Sequence, residues 1–139
     1  MEIIANALQT VAANQNVYFT DTITGGSMSI SHRSNSGLVN LYGNTNQCRA
    51  RFKITFGANI AVPTGETVGP VTLAIALDGE AVPSTSMIVT PAAVETFFNV
   101  FSAIFVDVPR GIVETISVKN IGDIPVEVEN ANLIVERVA

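Results

Sequence analysis

Apolar and polar residues alternate along most of this chain. From Gln47 it reads QCRARFKITFGANIAV, with Cys48, Ala50, Phe52, Ile54 and Phe56 on one side and Arg49, Arg51, Lys53 and Thr55 on the other. Successive side chains of an extended backbone point to opposite faces, so this alternation predicts a half-buried strand over 47–57. The stretch GPVTLAIALDGE (69–80) predicts another, with Val71, Leu73, Ile75 and Leu77 on one side and an Asp78-Gly79 turn at its end. Short strands are expected in SMSISHR (27–33), GLVNLYG (37–43) and STSMIVT (84–90). Pro83 and Pro91 bracket the last of these and suit it to a sheet edge. IVETISVKN (112–120) and PVEVENANLIVERVA (125–139) complete the series. In the final stretch the apolar positions pass from even (Val126, Val128) to odd (Leu133, Val135), and a β-bulge near Asn130 reconciles the two phases.

One stretch breaks the alternation. FFNVFSAIFVDV (97–108) has strand length but is apolar on both sides: Phe98, Val100, Ile104 and Val106 on one, Phe97, Phe101, Ala103 and Phe105 on the other. A strand whose second face meets water should be polar there. This strand is expected to bury one side in its own core and the other against a second subunit; the alternative is that both faces are internal. Residues 1–16 are weakly patterned and rich in Asn, Gln and Ala. They read as an N-terminal arm, in which ANALQTVAAN could form at most about two helical turns. Residues 17–139 read as one domain. With about eight to ten short strands at sandwich-like spacing and little or no helix, the expected class is all-β: a two-sheet antiparallel jelly-roll sandwich.

Composition sharpens the assembly question. Hydrophobic residues make up 47% of the 139, but charged residues only 14%, against about 25% in a typical domain. So few charges leave a monomer with little to cover its surface. The 7 Lys and Arg against 12 Asp and Glu give a net charge of −5, which argues against nucleic acid and against docking on anionic lipid. No apolar run approaches the roughly 20 residues needed to span a bilayer as a helix. Residues 1–20 do not read as a secretory signal, since Glu2 stands where a positive region belongs and Asn6, Gln9 and Asn14 interrupt the apolar run. The single cysteine, Cys48, rules out an internal disulfide, and its place on the apolar side of its strand predicts a buried, inert thiol. His32 is the only histidine, and no H-x-H, C-x-x-C, nucleophile elbow or phosphate loop accompanies it. No cofactor and no metal are expected, and an enzyme is the least favoured class.

The order CRARFKITF, VTLAIALDGEAVP, a long apolar strand, VPRGIVETISVKN and ANLIVERVA resembles the C1q/TNF-like jelly roll, above all its bacterial form at the C-terminus of collagen-like spore glycoproteins. Leu77-Asp78-Gly79-Glu80 occupies that family's "NG" turn. Val108-Pro109-Arg110-Gly111 occupies its "GD" turn, with Arg-Gly in place of Gly-Asp, and Leu133-Ile134-Val135 with Val138 occupies its closing strand. The resemblance spans roughly residues 37–139, without a collagen-like stalk. The whole chain also resembles short prophage-encoded proteins of gut Firmicutes, on MEIIANALQTVAANQNVYF and NQCRARFKITF.

The resemblance implies a homotrimer. Strands 47–57, 97–108 and 126–137 would share an inner sheet whose open face packs around a threefold axis, with Phe97, Phe101, Ala103 and Phe105 toward that axis. Arg49, Arg51 and Lys53 are expected to pair, within or between subunits, with Glu127, Glu129 or Glu136 of the closing strand. Such pairs contribute only about 0.2–1 kcal/mol each. The implied role is a virion component (head decoration, fibre or spike), made in the host cytoplasm, whose residues 1–16 would reach the capsid or other virion proteins. A spore-coat or exosporium protein and a glycan- or receptor-binding module are the alternatives. The last is weakened by the absence of Trp and the presence of only Tyr18 and Tyr42 as tyrosines.

Overall fold

The computed structural model describes residues 1–139. Its strands are β1 (Glu2–Ala5), β2 (Gln9–Val11), β3 (Asp21–Thr24), β4 (Ile30–His32), β5 (Val39–Tyr42), β6 (Arg49–Ala61), β7 (Val71–Leu77), β8 (Glu80–Ala81), β9 (Met87–Val89), β10 (Phe98–Pro109), β11 (Val113–Asn120) and β12 (Val126–Arg137). The only helical element is a single 3-10 turn, Pro83–Thr85. All strand pairs are antiparallel. The front sheet runs β10-β6-β12-β1-β3, with β2 also on β12. The back sheet runs β4-β5-β11-β7-β8, with β9 also on β7.

The two sheets face each other across one apolar core. Ala50, Phe52, Ile54, Phe56, Ala58 and Ile60 of β6 meet Leu73 and Ile75 of β7, Ile116 and Val118 of β11 and Leu41 of β5, all in a single cluster of buried side chains. Each large apolar side chain fully removed from water contributes about 1.5–3 kcal/mol. Phe19 packs edge-on against Phe56, with ring centroids 6.4 Å apart, a preferred arrangement for aromatic pairs.

β12 carries the expected bulge. Its register with β6 shifts between Glu129 and Asn132, and Asn130 takes a left-handed φ of +56°. Asparagine tolerates that conformation better than branched residues do. The extra residue lets Val126 and Val128 face the core before the bulge and Leu133 and Val135 after it.

Three expectations are corrected. Residues 1–16 are no free arm and hold no helical turn. β1 pairs with both β12 and β3, β2 pairs with the start of β12, and Asn14 and Val17 bond the backbone of β11. Ile3, Ala5 and Val11 lie in the core, so this segment belongs to the domain read as 17–139. Cys48 is exposed. β6 begins one residue later, at Arg49, and Cys48 sits at the open end of the sandwich, where its carbonyl accepts the Arg110 N–H. Phe98, assigned to the core, is 41% exposed, and Ile104 only half-buried. β10 is the edge strand of the front sheet, and Phe98 is its first residue, so neither has neighbours on every side.

Candidate functional site

β10, β6, β12 and β1 bring a set of side chains together on the outer face of the front sheet, as register alone shows. Phe101 of β10 lies beside Gly57 of β6, which pairs with Asn132 of β12 and, beyond it, Ile4 of β1. The next row is Ala103, Thr55, Ile134 and Glu2. The one after is Phe105, Lys53 and Glu136. Phe101 is 65% exposed and Phe105 61%, and Ile134 is also open to solvent. Gly57 leaves the floor beside Phe101 bare, although a Cβ there would meet its nearest atom, the Val100 carbonyl, only at 3.7 Å. The result is an apolar strip with small residues between its rings.

Polar groups close both ends of the strip. At one end, Arg51 donates from Nε and Nη2 to the two carboxylate oxygens of Asp107, at 2.7 and 3.1 Å, and Arg49 Nε stands 3.2 Å from Asp107 Oδ2. The hydrogen bond from Arg51, then its charge and that of Arg49, hold the Asp107 carboxyl below the usual carboxylate range. The same hydrogen bond pushes the Arg51 guanidinium up. At the other end, Asn99 donates to Asn59, and Asn59 to Asn130, at 3.1 and 3.3 Å.

The expected charge pairing is corrected within the subunit. Arg49 and Arg51 take Asp107 of the neighbouring β10, and no glutamate of β12 pairs with them. Lys53 lies opposite Glu136 in register without closing to an ion pair. The reason is topological: β6 lies between β10 and β12, and the row of Arg51 contains Asp107 but no glutamate. Glu129 stays half-buried near the amide end, and Glu127 is buried. Phe97 precedes β10 and is exposed beside the loop before it. Asp107 was legible as the one charged residue of the strand, two positions beyond Phe105 on the same face.

The one depression in the surface, about 70 Å³, is lined by Gln47, Cys48, Arg49, Arg51 and Ala139. Asp107 already occupies both of its guanidinium groups. No three His, Cys, Asp or Glu side chains converge as metal ligands, and no helix is long and apolar enough to cross a membrane. The His32 ring makes a 2.8 Å hydrogen bond with the Ser36 carbonyl and packs edge-on against Phe19.

No protein-family model and no curated protein matches the sequence. Solved structures do match. The globular domain of zebrafish complement 1qA aligns over 96% of this chain and 93% of its own, at TM-score 0.63 and 11% identity. The Eiger TNF of S. frugiperda aligns over 100% and 92%, at TM-score 0.67 and 9% identity. The fold is the C1q/TNF jelly roll. At these identities the likeness is one of architecture. β6, β10 and β12 share one sheet of that jelly roll, with the aromatic strip on the sheet's outer face.

Proposed function

We propose that this protein is a non-enzymatic structural protein that assembles as a homotrimer through the outer face of its front sheet. The observation that carries the reading is the exposure of Phe101 and Phe105, side by side on one strand with Ala103 between them and Ile134 adjacent. Interface cores are rich in aromatic residues and poor in charge; here the rows of Phe101 and Ala103 carry no cation, and Lys53 beside Phe105 lies in register with Glu136. The occupant of the strip is a second copy of the same chain. In a closed cyclic assembly every copy covers the strip of its neighbour, which leaves no apolar face free to grow a fibre. The jelly-roll fold, with its resemblance to domains that trimerise, supports the number three.

The experiment is a mass measurement in solution by light scattering or sedimentation. A trimer is expected, and Phe101→Asp should weaken association by about thirtyfold or more, as for a central interface residue. A monodisperse wild-type monomer, or a Phe101→Asp trimer as tight as wild type, would overturn the reading. The particle we propose for the trimer is a bacteriophage virion, on the resemblance to prophage-encoded proteins. Virion structural genes beside its own would support that role, and sporulation genes there would move it to the spore surface.

A further inference from the structure

Beyond the Asn59–Asn99 end of the strip lies a pair of carboxyl groups that the assembly reading does not use. Glu127 stands on the outer face of β12, between Thr10 of β2 and Ala61 of β6. Its neighbours Val126 and Val128 point the other way, into the core. An outward glutamate should be wet, yet Glu127 is only 8% exposed, and no donor reaches its buried Oε2. Its companion is Glu95, from the loop that precedes β10, whose backbone is fastened to Val62, the residue after Ala61, the β6 partner of Glu127.

Glu95 is itself held from three directions. Its N–H donates to the Val62 carbonyl at 2.9 Å, and its Oε1 accepts from the N–H and Oγ1 of Thr64 at 3.0 and 2.8 Å. Its backbone sits at a left-handed φ of +58°, which a residue with a long side chain adopts only when its surroundings impose it. The groups around Glu127 offer no cation. β2 supplies Thr10 and β6 supplies Asn59 and Ala61. The charged neighbours are Glu95 from the loop and Glu129 from β12 itself. Glu127 is buried and Glu95 is open to solvent; with no cation beside them, two neighbouring carboxyl groups repel when both are charged. A proton on Glu127 removes one charge and supplies the O–H donor that the pair otherwise lacks.

We propose that a proton held between Glu127 and Glu95 is a clamp that fastens the loop 90–97 to the front sheet, and that the clamp opens when the proton leaves. The loop runs directly into β10 and its aromatic residues, so the clamp governs how firmly the start of that strand is seated. Burial first, then the hydrogen bond and charge of Glu95 and the charge of Glu129, push the Glu127 carboxyl up to about 7. Hydrogen bonds from Glu127 and then Thr64 hold Glu95 below the usual range. The folded chain therefore keeps a proton that the unfolded chain has already released. The stabilisation is full only below the ordinary carboxylate range, declines as pH rises from there, and is gone above about 7.

The test is an NMR titration from pH 4 to 8.5 that follows the carboxyl carbons of Glu95 and Glu127. In parallel, amide exchange at Thr64 and Glu95 is corrected for its intrinsic pH dependence. One carboxyl of the pair should titrate near neutrality, and amide protection should fall by about tenfold or more between pH 6 and 8.5. In Glu127→Gln, whose amide donates to Glu95 at every pH, protection should stay level over that range. Both carboxyls titrating below pH 5, protection unchanged to pH 8.5 in the wild type, or a Glu127→Gln variant that loses protection as the wild type does, would each overturn the clamp. If Glu127→Gln fails to fold, the wild-type titration decides alone. Oligomer mass does not enter these readouts, so the clamp and the trimer stand or fall separately.

Discussion

Asn120 shows how much one buried polar side chain can hold. It is 0% exposed. Its Nδ2 donates to the carbonyls of Val11 and Ile124, both at 3.0 Å, and its Oδ1 accepts the Gly122 N–H at 2.9 Å. It thereby joins β2, the end of β11 and the turn into β12. Asn120→Ala leaves three backbone groups without partners and should cost about 1–3 kcal/mol, measured by urea denaturation. Arg51→Ala is the contrasting case. Its pair with Asp107 is bidentate but open to solvent, so the melting temperature should barely move at physiological salt. Local sequence marks 120–123 as a turn because Asn and Gly suit one. It cannot show that the Asn120 amide reaches Val11, which only the folding of the N-terminal segment brings near. The nearness of Glu95 to Glu127 was illegible for the same reason, since two glutamates in separate segments read as two solvated charges.

Among the elements, length decided what could be read. β6, β10 and β12 run for 13, 12 and 12 residues, enough for a period of two to stand out and for the phase change at Asn130 to reveal its bulge. β1 and β2 have 4 and 3 residues, too few for any period, so an Asn- and Ala-rich segment read as an arm. Their pairing has a consequence that an arm would not. Deleting residues 1–6 removes Ile3 and Ala5 from the core and strips β12 and β3 of a shared neighbour. The loss should exceed about 1.5–3 kcal/mol from Ile3 alone, and the bared edge of β12 should promote aggregation. A denaturation midpoint equal to the full chain's would show the segment dispensable after all.

For the whole molecule, two sheets bury one shared core, and the front sheet is left with a second apolar surface outside it. That surface makes a directional prediction. Phe101→Asp should shift the mass toward monomer, whereas Ile88→Asp, at a residue 63% exposed on β9 of the back sheet, should leave it unchanged. Equal effects from both would mean that association follows hydrophobicity in general and not this face. The sandwich, its long strands, the bulge and the two-sided character of 97–108 could all be read from the chain, because each is written in the local alternation of side chains. Tertiary structure alone decided which strands are neighbours. That choice sets Asp107 and not a glutamate beside Arg49 and Arg51, draws residues 2–11 into the sheet, and brings Glu95 near Glu127. Period two tells a residue which face it occupies, but the hydrogen-bonded order of strands, settled by packing of the whole chain, tells it what stands alongside.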